Sequence, residues 1–194
     1  MQIIVAITGA SGAPYAIRLI QALVEEKLEV HVTISAAGAR LLKHEMGIAV
    51  DLRNFSVKSL LGKTTTRVVY YHHDYISAPI ASGTFPIDAM VVVPCSMSTL
   101  AGIAAGLGNN LILRAADVTL KERRPLILVP RETPLGLIAI ENMASVTRAG
   151  ACVLPAMPAL YNRPKTVQEM VDFVVGKILD QLHIRHELFR RWGE

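Results

Sequence analysis

The residues able to do chemistry gather where short apolar runs end. The first run opens into ITGASGAPYAIRL at 7–19. Gly9 and Gly12 permit a tight backbone and close ligand approach. Ser11 offers a hydroxyl, and Pro14, which has no N–H, suits the first turn of a helix. Free N–H groups at a helix start hold phosphate, so the loop reads as a nucleotide-phosphate cradle, with an ordinary glycine turn as the alternative. Its Gly-x-x-Gly spacing is neither the dinucleotide fingerprint nor a Walker loop. A second mouth, PCSMSTLAGIAAG at 94–106, crowds Ser96, Ser98 and Thr99 together. These hydroxyls can cap a helix or donate to a phosphate or ring carbonyl. Two such mouths on one sheet favour a single extended ligand, such as a mononucleotide with a ring.

Other candidates follow the remaining runs. Ser35 can cap a helix or touch a ligand, and Glu45, taken alone, reads as a solvated helix face. Arg114, Lys121, Arg123, Arg124 and Arg131 form the densest basic cluster. Arg131 stands out because it directly follows a run, where a guanidinium can clamp phosphate with two parallel hydrogen bonds. Glu132 beside it would be costly near a dianion unless it exchanges a proton, as a general acid/base does. Tyr161, in a proline-stiffened loop, is either a packing residue or a ligand contact, and Trp192, the only tryptophan, closes an aromatic tail suited to docking on a neighbouring subunit. Cys95 reads as a small buried residue. His72, His73 and Asp74 resemble a metal cluster, but adjacent strand residues point to opposite faces, so no metal is expected there.

What must position these residues is a layered α/β chain. Strand-like runs recur at 3–7, 29–34, 67–71, 89–94, 126–130 and 151–155, most of them apolar on both faces, as in a covered parallel sheet. Helical patterns lie at 14–27, 36–46, 98–122 (one helix or two, broken near 106–110), 134–149 and 166–182. The alternation predicts one doubly wound, mainly parallel sheet with helices on both faces, flavodoxin-like or Rossmann-like, spanning 1–194 as a single domain with a tail from about 183. The polar stretch 51–66 reads as a variable excursion. Hydrophobic residues make up 52% and charged ones 19%, and the mean hydropathy is +0.39. No run nears the ~20 residues of a membrane span, so the oiliness points to a homo-oligomer. A net charge of +4 is too mild for a nucleic-acid binder. Two cysteines without zinc or disulfide spacing, and a start with no basic leader, fit a cytoplasmic protein.

Taken together, TGASGA-x-Y at 8–15, PCSMSTLAGIA at 94–104, NNLILRAADVTLKERRPLILVPRETPL at 109–135, PAMPALYNRP at 155–164 and the RWG ending closely resemble the UbiX-type flavin prenyltransferases, from about residue 2 to 193. The resemblance implies a homo-oligomer, typically a dodecamer, that binds reduced FMN and dimethylallyl monophosphate. Its product is prenylated FMN, with a ring closed between N5 and C6, which serves a UbiD-type decarboxylase, in many bacteria for ubiquinone synthesis. It implies flavin contacts from Gly9, Ala10, Ser11, Ser35, Ser96, Met97, Ser98, Thr99, Arg114 and Arg131, and prenyl-phosphate contacts from Lys121, Arg131, Glu132, Tyr161 and Lys177, with Trp192 near the site across a subunit boundary. Family members commonly carry arginine where Lys177 stands; lysine keeps the charge and loses the fork. Ser11, Glu45 and Glu132 match positions tied to proton transfer. The alternatives are a cysteine-type FMN decarboxylase of the same fold, which would need a catalytic histidine after an early helix and an Asn-bearing loop near residue 82, where Ser82 and Gly83 stand instead, and a non-catalytic flavin carrier.

Overall fold

Runs rich in Val and Ile favour extended backbone and pack well on a pleated surface. They become the strands Gln2–Ile7 (β1), Glu29–Ile34 (β2), Val68–His72 (β3), Ala89–Cys95 (β4), Leu126–Pro130 (β5) and Cys152–Val153 (β6) of a computed structural model, which describes residues 1–193. The helices are Ala13–Glu25 (α1), Ala36–Met46 (α2), Val57–Leu61 (α3), Met97–Ala104 (α4), Leu111–Lys121 (α5), Leu137–Arg148 (α6) and Val167–Gln181 (α7), with a 3-10 turn at Pro79–Ala81. The strands form one six-stranded sheet in the order β3-β2-β1-β4-β5-β6, every neighbouring pair parallel. This is the doubly wound, Rossmann-like order. It reverses between β1 and β4, so the crevice lies beyond their carboxyl ends.

Both faces of the sheet are covered. Ile3, Val5 and Ile7 pack with buried residues of α1 and α7 on one side, and Ile4 and Ala6 with buried residues of α5 on the other. That is why β1 carries no polar alternation: Ile3 through Ile7 are all buried. Among the described residues no helix is long and apolar enough to cross a membrane.

The structure adds detail to two segments. The 98–122 stretch is two helices. Gly106 takes a left-handed φ of 67°, and Asn110 then caps α5 by accepting from the Leu113 N–H at 3.0 Å. The 51–66 excursion is pinned to the sheet. Leu60 and Leu61 of α3 are buried, Phe55 stacks on Tyr70 with ring centres 4.0 Å apart, and the Tyr70 hydroxyl donates to the Leu52 carbonyl at 3.1 Å.

Candidate active site

The crevice is tied together by a residue that the sequence reading passed over. Thr8, the first residue after β1, is buried. Its hydroxyl donates to the Pro94 carbonyl at 2.7 Å and accepts from the Ser96 N–H at 2.8 Å. One side chain therefore fixes the glycine loop against the serine mouth. A small buried hydroxyl next to a strand end was the available signal.

At the start of α1 the anion is supplied by the chain itself. Glu45, from the last turn of α2, accepts from the Ala13 N–H at 2.8 Å and the Gly12 N–H at 3.0 Å. Burial alone would raise its pKa. The Ser11 hydroxyl, the two backbone N–H groups and the Arg131 charge outweigh that and hold the carboxyl below its ordinary value. Two expectations change. Glu45 is not a solvated helix face, because α2 is angled so that its last turn meets the helix-dipole end of α1. The N–H groups of Gly12 and Ala13 are not an open phosphate cradle, because a carboxylate already satisfies them. Gly12 is required here: at φ 126° a side chain is strained, and an added Cβ would lie 2.8 Å from the Tyr15 ring.

Arg131 reaches the same point from β5. Its Nε donates to the Ser11 carbonyl at 3.4 Å, and its charge acts on both Glu45 and Tyr15. Burial raises the Tyr15 phenol, the Glu45 carboxylate adds to that, and Arg131 opposes it. Glu132 is exposed and accepts from the Thr133 N–H at 3.0 Å. Beside it a cavity of about 270 Å³ is lined by Arg131, Glu132, Leu135, Met143, Pro155 and Met157, among others. Ser35 and Ser96 both cap their helices, accepting from Gly38 N–H at 3.0 Å and Thr99 N–H at 3.3 Å. The Ser96 hydroxyl also lies 3.1 Å from that of Ser98 and 3.0 Å from that of Thr99. Gly9, Ala10 and Met97 belong to the same loops, and Arg114 sits one turn into α5, paired with Asp117 at 2.9 Å.

The remaining candidates lie elsewhere in the same chain. Lys121 ends α5, just before β5 begins, at the amino end of the sheet and opposite the crevice. Lys177 is ten residues into α7, about 15 Å along it, and lies 3.4 Å from Asp180. The tail after α7 turns back along that helix. It brings Trp192 edge-on to Tyr161 at 5.0 Å, while Trp192 stays 81% exposed. One chain thus holds two groups: Ser11, Glu45 and Arg131 at the crevice, and Tyr161, Lys177 and Trp192 along α7 and its tail.

Cys95 is fully buried, and burial pushes its thiol up to about 12, so it packs and is not a nucleophile. His72 and His73 do not point to opposite faces. β3 ends at His72, and past the strand the two rings stack 4.6 Å apart on the same side. With Asp74 they form a compact cluster, but the His72 Nδ1 already accepts from the Asp74 N–H at 3.2 Å.

Comparison with known proteins gives the family. A family model described as Flavoprotein matches residues 1–179. A flavin prenyltransferase UbiX from Halalkalibacterium halodurans is 49% identical over 190 residues, covering 98% of this chain and 92% of that one. The chain belongs to the flavin prenyltransferases of the flavoprotein family. A solved structure of AnUbiX (PadA1) in complex with FMN and dimethylallyl pyrophosphate superposes with a TM-score of 0.90 at 40% identity, covering 100% of this chain and 97% of that one. A dodecameric FMN-dependent Ubix-like decarboxylase from Escherichia coli O157:H7 superposes at 0.89 with 42% identity and full coverage of both.

Proposed function

We propose that this chain joins the dimethylallyl group of dimethylallyl monophosphate to N5 and C6 of reduced FMN, and that the prenylated FMN passes to a UbiD-type decarboxylase in the cytoplasm. The observation that carries the reading is the Ser11–Glu45–Arg131 group at the crevice. Reduced FMN, when bound, supplies the nucleophilic ring positions. The donor set fits it. With the start of α1 taken by Glu45, the hydroxyl-bearing starts of α2 and α4 would hold its phosphate, and Gly9, Ala10 and Ser11 would receive its ring.

The residues then divide the work. Glu45, held ionised, draws the Ser11 proton toward itself, so the Ser11 oxygen can take a proton from the acceptor ring and pass it on. Arg131 stabilises charge on the departing phosphate, and Glu132 carries a proton to it. Lys121, Lys177, Tyr161 and Trp192 complete the site from neighbouring copies in a homo-oligomer, a dodecamer in this reading. Aromatic faces shield the allylic cation, by about 1–2 kcal/mol each when dry, and keep water from it. Fixed cations neutralise a monophosphate without a metal.

The decarboxylase reading needs the loop at 82–83 to reach the crevice. That loop instead supports the opposite end of the sheet, where the Gly83 carbonyl accepts from Arg124 at 2.6 Å. Anaerobic incubation with reduced FMN and each prenyl ester in turn, read by mass spectrometry, tests the function. The expected product is FMN heavier by one five-carbon unit. Recovery of unmodified FMN alone with both the mono- and the diphosphate overturns the reading.

A further inference from the structure

One carboxylate gathers the end of the chain. Asp180, in the last turn of α7, accepts from Arg191, with Nη2 at 2.9 Å from Oδ1 and Nη1 at 3.5 Å from Oδ2. It also lies 3.2 Å from His186 Nε2 and 3.4 Å from Lys177 Nζ. Burial would raise this carboxyl, but Arg191 and His186 outweigh it and hold the pKa low. Beside the carboxylate, Gly176 leaves a notch. A Cβ there would collide with the Phe189 ring and lie 2.7 Å from the His186 ring. Phe189 fills the notch against Phe173, ring centres 4.9 Å apart, and the Arg191 guanidinium lies 5.7 Å over its ring. The residue after Arg191 is Trp192, edge-on to Tyr161, which is itself edge-on to Phe173 at 6.0 Å. The strap is thus anchored at its middle by Phe189 and at its end by Arg191, one residue from the indole.

We propose that Asp180 is the positioning residue of this strap: by clamping Arg191 and His186 it holds Trp192 against Tyr161, and so sets the aromatic wall that receives the prenyl group. The wall's role rests on the prenyltransferase reading; the clamp itself does not. Asp180 touches no reacting atom in this account. It acts through Arg191, and Gly176 acts with it by leaving room for Phe189.

Trp192 is the only tryptophan, so its fluorescence anisotropy in the assembled, flavin-free protein reports the clamp directly. Asp180→Asn and Arg191→Gln each remove the ion pair from one end, and Gly176→Ala expels Phe189 without changing charge. All three are expected to lower the Trp192 anisotropy toward that of a mobile side chain. They should lower kcat/KM for dimethylallyl monophosphate about tenfold or more, with FMN affinity within twofold of the parent. Asp180→Glu should recover part of the loss. If Asp180→Asn does not fold, Arg191→Gln, altered only on the strap, makes the same test. Unchanged anisotropy overturns the clamp. A freed indole with unchanged kcat/KM, or FMN affinity falling in step with prenylation, overturns the positioning role. A parent protein that prenylates no flavin overturns the function reading, while the anisotropy still decides the clamp.

Discussion

Glu45→Gln tests the crevice most directly. The carboxylate accepts from Ala13 N–H at 2.8 Å and Gly12 N–H at 3.0 Å, takes the Ser11 hydroxyl as well, and faces Arg131. Glutamine keeps one acceptor oxygen. Both N–H groups go to Oε2, so that oxygen can keep them; the amide nitrogen replaces Oε1, which makes only the longer 3.3 Å contact with the Gly12 N–H, and the charge at the positive end of α1 is lost. A hydrogen bond to a charged group is worth about 1.5–3 kcal/mol, and a charge at a helix end about 0.3–1. Glu45 is only partly buried, so solvent screening reduces the sum to about 1–2 kcal/mol. For a chain of this size that lowers Tm by about 2–8 °C. The sign with pH follows from the lowered pKa of the folded state. The stabilisation is fully present above the unfolded-state value and is lost as pH falls through the folded one. The gap in Tm between parent and variant should be full at pH 7 and should close below about pH 4. Losing a base costs about 100-fold or more in prenylation, while FMN should still bind. Scanning calorimetry at both pH values, with product mass as the activity readout, decides it. A variant that melts and prenylates like the parent refutes the argument. FMN binding tightened tenfold would refute it differently, by showing that the α1 start is a phosphate seat that Glu45 merely blocks.

Arg131→Lys keeps the charge but loses the planar guanidinium whose Nε donates to the Ser11 carbonyl, and should lower kcat/KM about tenfold or more in steady-state assays. Cys95→Ala removes a thiol that burial has pushed up to about 12; it should cost about 1 kcal/mol of stability in a denaturant titration and leave turnover in place, whereas lost turnover would make the thiol a reactant. Ile138→Glu alters a side chain that is 76% exposed in the single chain; light scattering should show smaller assemblies while a circular-dichroism spectrum stays that of the parent.

The sheet was legible because a parallel strand buried on both faces leaves an unbroken apolar run, and β1 is such a run from Ile3 to Ile7. Loops that follow strands were legible for the same reason, which brought Ser11, Ser96 and Arg131 to attention. Glu45 was not, as a bare residue. Its partners are the N–H groups of Gly12 and Ala13, more than thirty positions away, and helix periodicity cannot say which neighbouring helix a last turn will meet. Thr8 escaped because its work is done by hydrogen bonds to the end of β4 and to Ser96, 86 and 88 residues on, which a small hydroxyl after a strand does not by itself disclose. The His72–His73 argument failed at a boundary. Alternation holds inside a strand, and β3 stops between the two residues.

The two groups in one chain also account for its composition. Lys121 sits at the amino end of the sheet, and Lys177 and Trp192 along α7, while Ser11, Glu45 and Arg131 face the crevice at the carboxyl end. If all of them act on one substrate, as the prenyltransferase reading holds, they must come from different copies. The copies then need surface to bury, and α6 presents it. Leu137 and Ile138 are 69% and 76% exposed, and Met157 and Leu160 on the loop before α7 are 67% and 69% exposed. At about 25 cal/mol per Å² such side chains add strongly to association once covered. The exposed apolar face and the divided site therefore make one demand, and a variant that stops assembly, such as Ile138→Glu, should stop prenylation even where each folded protomer keeps its crevice intact.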